Sequence, residues 1–420
     1  SRGLGDVYKG QLEGGATPGL SSGVAPADRP KVAFVCGGQG PQWWAMGRQL
    51  MATEPVFLEA LTACDALFSS HASWSLLTEL RAEEGRSRLE QTELAQPALF
   101  ALQLALARLW ASWGIVPDAV VGHSLGEVAA AHIAGALSLE DAVRLVFHRG
   151  RIMQRATGQG LMAALEMPLD QVAALLAEAG GEITIGAING PTSVVVSGAT
   201  GPVDALMARL KEQGLYCRLL KGGYAFHSPQ MAPLQGELAG VLAEIRPQVA
   251  TLPLYSTLTG TAIRGPELSP DYWARQIREP VRFAAAVNAL AAAGIRIGLE
   301  LGPHPVLAGP LSDGLRAVIR EAVARDALAR DALARETLAR ETLAPDAMVL
   351  ASMRRGESER KVMLEALGAL YTRGMNPAWS RIHPSGRVTR LPSYAWDHAR
   401  YWIDPREMRP ELVAGSSLAG

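Results

Sequence analysis

The first regular pattern along the chain is Lys31-Val32-Ala33-Phe34-Val35-Cys36, an apolar run of strand length that passes straight into Gly37-Gly38-Gln39-Gly40-Pro41. A continuous apolar run ending at a glycine turn predicts a strand buried on both faces. From Pro97 to Trp113 the apolar positions cover a broad helical face, and Gly114 closes that element. Asp118-Ala119-Val120-Val121-Gly122 then predicts a second buried strand. Strands alternating with helices imply a mostly parallel α/β sheet. Between about Leu161 and Tyr224 the texture changes to short strand-like runs (LMAALEM, ITIGAIN, SVVVSG, YCRLLK), with one helix-like stretch from Pro202 to Gln213. This reads as a small α+β subdomain inserted into the larger one, after which helical and strand segments resume to about Leu307.

The flanks differ from this core. Residues 1–30 are rich in Gly, Ser, Ala and Pro and read as a linker. The tract Ala324–Ala344 repeats ARDAL twice and ARETL twice. A period of five residues advances about 140° around a helix, so Leu328, Leu333, Leu338 and Leu343 spiral and form no seam. An exposed helical insertion without chemistry is expected there. From about Val349 come a short helix (ERKVMLEALGALYTRG) and an extended aromatic tail, SYAWDHARYW, expected to dock back on the main domain. The expected boundaries are a linker at 1–30, a large subdomain at 31–160 and 225–322, the small subdomain at 161–224, the insertion at 323–345 and a second linker at 346–420.

Composition narrows the function classes. Forty basic and forty-one acidic side chains balance to −1, which gives no electrostatic reason to expect nucleic acid or an anionic membrane as partner. Every apolar run is interrupted by charge, Gly or Pro short of a bilayer span, and the N-terminus lacks the apolar core of a secretory signal. Cys36, Cys64 and Cys217 are too few and dispersed for a disulfide framework and lack metal-site spacing, so reduced thiols, no metal and a cytoplasmic setting are expected.

The sharpest chemical signal is Gly122-His123-Ser124-Leu125-Gly126, placed between a strand and a helix. In that context the pattern forms a nucleophile elbow: the glycines permit the tight turn, and the serine hydroxyl stands at a helix N-terminus, where backbone N–H groups favour a developing oxyanion. Such a serine needs a base. His123 should point elsewhere, and His132 and His148 lie on the following helices. His227, in Tyr224-Ala225-Phe226-His227-Ser228 where the small subdomain rejoins the core, is the candidate.

In chain order, CGGQGPQW at 36–43, GHSLGE at 122–127, VFHRG at 146–150, YAFHS at 224–228, YWARQIREPVRF at 272–283 and LELGPHPVL at 299–307 resemble the acyltransferase domain of modular type I polyketide synthases, kin to malonyl-CoA:acyl-carrier-protein transacylase. GRVTRLPSYAWDHARYW at 386–402 is similar to the linker that follows this domain. The resemblance implies an α/β-hydrolase-like core with a parallel sheet and a small inserted ferredoxin-like subdomain. It implies Ser124 as nucleophile, His227 as base, the backbone N–H groups of Gln39 and Leu125 as oxyanion hole, and the backbone carbonyl of Gln276 as the group orienting the imidazole. Arg149 would hold the free carboxylate of a malonyl-type group in its planar fork. The implied substrate is malonyl-CoA and the implied partners are an acyl carrier protein and an adjacent ketosynthase domain, with no bound cofactor.

Extender choice is written less clearly. Malonyl users tend to carry His-Ala-Phe-His and methylmalonyl users Tyr-Ala-Ser-His, whereas this chain has Tyr224-Ala225-Phe226-His227. Phe226 fills space that an α-branch needs, and Leu125 also favours malonyl, while Tyr224 favours methylmalonyl. Two other functions stay open on the residues alone. A serine hydrolase or thioesterase would need an acid from Asp141, Asp170 or Asp204, and a catalytically silent module would not need Ser124, His227 and Arg149 together.

Overall fold

The structure, a computed structural model, describes residues 19–178, 180–329, 347–383, 385 and 390. Its main sheet has the order β10-β9-β1-β2-β7-β8, formed by β1 (Lys31–Cys36), β2 (Ala119–Gly122), β7 (Leu254–Tyr255), β8 (Ala262–Ile263), β9 (Ile295–Leu301) and β10 (Met348–Ala351). All pairs are parallel except β7 with β8. The expected apolar runs are the central strands: every residue of β1 after Lys31 and all of β2 are buried, as a parallel sheet covered on both faces requires. Cys36 registers with both Gly122 and Leu301, so the carboxyl ends of β1, β2 and β9 open onto one crevice.

The long core helix starts at Thr92 and ends at Ser112, earlier at its N-terminus than the sequence reading from Pro97. Pro97 sits inside it, where its absent N–H removes one intrahelical bond. Among the described residues it is the helix long and apolar enough to cross a membrane, and it fills the heart of the domain, packed against the helices Pro55–Phe68 and Leu139–Gln154.

The small subdomain holds a second sheet of order β4-β5-β3-β6, all antiparallel, from β3 (Leu161–Glu166), β4 (Ile183–Gly190), β5 (Ser193–Gly198) and β6 (Cys217–Leu219). Helices Leu169–Glu178 and Thr200–Glu212 follow its first and third strands, giving the split βαββαβ arrangement of the ferredoxin-like fold. The first of these helices is an addition to the sequence reading. It packs Leu169, Val172, Leu175 and Leu176 against a separate small core with Ile183, Val194 and Val196. The two units join near the base: Ile188 donates to the Val281 carbonyl at 2.8 Å and Val281 to that of Gly186 at 2.9 Å. The Ser197 hydroxyl holds the Phe226 carbonyl at 2.6 Å.

The C-terminal boundary is corrected. β10, within the segment read as a linker at 346–420, is an edge strand of the main sheet. The helix Glu359–Tyr371 is tied in as well, because the buried Glu359 carboxylate accepts from the N–H groups of Gly47 at 2.7 Å and Leu50 at 3.0 Å. It thereby caps the N-terminus of the helix Arg48–Thr53. The helix Ala308–Ala329 runs into the repeat tract and leads to β10. The rest of the tract, 330–346, and the SYAWDHARYW segment lie outside the described residues, as do residues 1–18.

Candidate active site

The elbow is built as the glycine pattern demands. A β-carbon on Gly122 would lie 2.1 Å from the Gly126 carbonyl carbon, and one on Gly126 would lie 2.1 Å from the Cys36 carbonyl oxygen. Only glycine lets the strand end and the helix Gly126–Ile133 approach so closely. Ser124 takes a left-handed backbone, φ 52°, between them. This conformation costs free energy in a non-glycine residue and is held by the surrounding packing. It presents Oγ at the head of the crevice. Neither the Gln39 nor the Leu125 backbone N–H has an acceptor among the described residues, so both remain able to donate to an oxyanion.

His227 stands opposite, also left-handed at φ 58°. Its Nε2 is 2.7 Å from Ser124 Oγ, and its Nδ1 is 3.0 Å from a backbone carbonyl, that of Glu279. The carbonyl accepts a hydrogen bond from Nδ1–H, which leaves Nε2 as the acceptor facing the serine. This revises the role expected of Gln276. The helix Pro270–Gln276 ends at that residue, and the turn after it carries the Glu279 carbonyl round to the imidazole, with the Gln276 carbonyl a lesser neighbour. The same turn holds the backbone of His227 through a 3.0 Å bond from its N–H to Ile277. Burial, then the positive charge of Arg149, pushes the imidazole down from its ordinary value to about 3. It is therefore neutral, and ready to accept a proton, across the neutral range.

Gln276 works through its side chain. Its Nε2 donates to the Ser124 carbonyl at 2.6 Å, and its Oε1 accepts from Arg149 Nη2 at 3.1 Å. Arg149, on the helix Leu139–Gln154, is 1% exposed. Its Nη1 donates to Gln96 Oε1 at 2.8 Å and its Nη2 to Ser124 Oγ at 3.1 Å, while Nε has no partner. All of these acceptors are neutral. Burial lowers the guanidinium to about 10, opposed by the charge of Glu127, and it stays cationic at neutral pH.

The remaining expected residues line the same crevice. The rings of Tyr224 and Phe226 stack with centroids 3.8 Å apart. The Tyr224 hydroxyl accepts from Gln39 Nε2 at 3.3 Å, and Gln39 Oε1 accepts from Gln96 Nε2 at 3.1 Å. A polar chain thus runs from Tyr224 through Gln39 and Gln96 to Arg149. The other histidines turn away: His123 meets Asn189 Oδ1 at 2.9 Å, His132 meets the Leu137 carbonyl at 3.0 Å, and His148 packs beside His71. With a carbonyl on His227 Nδ1, no hydrolase-type acid stands behind the base. Asp170 and Asp204 are exposed, and Asp141 accepts from the Arg246 N–H. Gln96, Glu279, Asn189 and Glu127 are site residues that sequence reading missed. Gln96 lay just ahead of the helix start expected at Pro97, and Glu127 lay inside the elbow segment itself.

The chain is similar to known proteins in sequence and in fold. The acyl transferase domain family matches residues 33–377. The polyketide synthase GfsB of Streptomyces halstedii is 37% identical over 408 residues, a match covering 97% of this chain and 7% of that protein. The erythronolide synthase EryA2 of Saccharopolyspora erythraea is 35% identical over 404 residues, covering 96% and 11%. The chain therefore spans about a tenth or less of these curated relatives. Among solved structures, the acyltransferase domain from module 8 of the salinomycin polyketide synthase superposes with a TM-score of 0.78 at 33% identity, covering 89% of this chain and 82% of that one. With the motifs, the elbow and the two-sheet fold in agreement, the chain belongs to the acyl transferase domain family, of the kind found in polyketide synthases.

Proposed function

We propose that this domain takes a malonyl group from malonyl-CoA onto Ser124 and passes it to the phosphopantetheine thiol of an acyl carrier protein. The observation that carries the substrate reading is Arg149. It is a fully buried guanidinium whose partners are all neutral and whose Nε is unpartnered, set 3.1 Å from the nucleophile. A buried cation is costly unless paired, and a substrate with a free carboxylate supplies the missing anion.

In the first half-reaction Ser124 Oγ attacks the thioester carbonyl while His227 Nε2 takes its proton. The N–H groups of Gln39 and Leu125 stabilise the oxyanion. Collapse breaks the carbon–sulfur bond, and coenzyme A leaves with the proton from His227. The second half-reaction runs the same steps with the carrier thiol as nucleophile. A carbonyl-backed imidazole is a weaker base than a carboxylate-backed one, and it suffices for exchange between thioester and ester. The Phe226 ring, stacked on Tyr224, occupies space that an α-branch needs, which favours malonyl over α-branched units. The runner-up is methylmalonyl or a larger alkylmalonyl group, the alternative that Tyr224 supports. In this reading the domain works in the cytoplasm beside a ketosynthase domain, without a resident cofactor.

Intact-protein mass after exposure to equimolar malonyl-, methylmalonyl- and acetyl-CoA tests the proposal. A malonyl adduct that dominates, and that is absent from Ser124→Ala, is expected. A dominant acetyl adduct would overturn the carboxylate reading, and a dominant methylmalonyl adduct would overturn the extender choice alone.

A further inference from the structure

Glu127 is a buried carboxylate at the first turn of the elbow helix, and its contacts are unlike those of a core residue. Oε1 accepts from the Thr257 N–H, from Thr257 Oγ1 at 2.5 Å and from the Leu258 N–H at 3.2 Å. Oε2 accepts from the Tyr272 hydroxyl at 2.8 Å. Thr257 Oγ1 also lies 3.0 Å from the Gly122 carbonyl, at the entrance to the elbow. These bonds tie the nucleophile's helix to two other segments, the turn after β7 and the helix Pro270–Gln276. Tyr272 and Gln276 are four residues apart on that short helix, so they share a face. The hydroxyl that Glu127 holds therefore sits one turn behind the amide that holds Arg149 and the Ser124 carbonyl.

We propose that Glu127 is a positioning residue for acyl transfer: through Tyr272 and the Thr257–Leu258 turn it fixes Gln276, and through Gln276 the Arg149 fork, against the nucleophile. A side chain needed only to fill space here would be apolar, because a buried carboxyl is unfavourable unless hydrogen bonds such as these offset its lost hydration. Burial pushes the Glu127 carboxyl up, and the hydrogen bonds from Thr257, Tyr272 and Leu258 oppose that shift. His227 is held by the turn after the same helix, through Ile277 and Glu279, and its loop is braced besides by Ser197 and Ser228, through the carbonyls of Phe226 and Ala225.

The inference rests on Arg149 as the carboxylate anchor, and the test separates the two. Acylation by malonyl-CoA and by acetyl-CoA is measured for the wild type, Glu127→Gln, Tyr272→Phe and Arg149→Ala. Reaction of Ser124 with a small neutral sulfonyl fluoride serves as a readout of the Ser124–His227 pair. Loss of geometry of this kind costs on the order of 10- to 100-fold. Glu127→Gln is therefore expected to lower the malonyl-to-acetyl ratio of kcat/KM at least tenfold and to slow sulfonylation by a smaller factor than it slows malonyl transfer. Tyr272→Phe, which removes one hydroxyl and keeps the carboxylate, should shift the ratio in the same direction by a smaller factor, and it carries the test if Glu127→Gln does not fold. An unchanged ratio in both variants, or a parallel fall for malonyl, acetyl and sulfonyl fluoride, overturns the positioning role. If Arg149→Ala keeps its malonyl preference, the carboxylate reading fails instead.

Discussion

Replacing Arg149 by alanine removes a guanidinium that makes bonds of 2.8, 3.1 and 3.1 Å to Gln96, Gln276 and Ser124 and is, among the described residues, the only cation bonded to Ser124. Deleting one member of a buried, hydrogen-bonded charge pair costs about 2–5 kcal/mol. At about 1.4 kcal/mol per tenfold, malonyl acylation should fall roughly 30- to 4,000-fold. Acetyl-CoA, which has no carboxylate, should be affected little and gain relative to malonyl. Two effects on folding oppose one another. Gln96 and Gln276 each lose a donor, at about 1–3 kcal/mol apiece, while the cost of burying an unneutralised cation disappears. The Tm should therefore stay close to that of the wild type. Arg149→Lys restores charge without the planar fork and should recover only part of the rate. The assay is single-turnover acylation by each thioester, read as intact mass against time, with Tm recorded for every variant. A parallel fall for malonyl and acetyl at unchanged Tm would refute the reasoning, because it would mean that Arg149 supports Ser124 alone.

The buried imidazole of His227, held down to about 3, should give an acylation rate nearly flat from about pH 8 to about pH 5. A midpoint near 6.5 would contradict it. The linked stability has a definite sign. The unfolded chain binds a proton at its ordinary value near 6.5 that folded His227 refuses, so this contribution is full above that pH and is lost as pH falls toward 3. Phe226→Ser removes the ring stacked on Tyr224 and should raise the methylmalonyl-to-malonyl acylation ratio about tenfold or more, the usual worth of one carbon in a shaped pocket. An unchanged ratio would place the selectivity elsewhere.

The parts of this site that sequence reading reached are those whose chemistry is local. A glycine on either side of a serine, between a buried strand and a helix, leaves one arrangement of the backbone, and Ser124 adopts it. The small subdomain announced itself by a shift to short strands. Its helix Leu169–Glu178 carries Leu169, Val172, Leu175 and Leu176 at helical spacing, so that signal was present and was masked only by the neighbouring apolar run LMAALEM. What the sequence could not display are partners brought together by the fold alone. The imidazole needs a carbonyl, every residue has one, and nothing in the letters YWARQIRE tells whether the carbonyl of Gln276 or Glu279 faces His227. The turn after the helix decides it, by carrying the chain past Ile277 before the acceptor comes round. Gln96 and Glu127 follow the same logic. A glutamine ahead of a proline and a glutamate after an elbow are ordinary surface letters, and their burial becomes visible only when the core helix and the Pro270–Gln276 helix close over them. The chain therefore displays its elbow serine through steric necessity and conceals the polar network around it. That network holds the Arg149 guanidinium, the His227 imidazole and the Gln276 amide on separate segments around Ser124, and only the assembled fold sets their spacing.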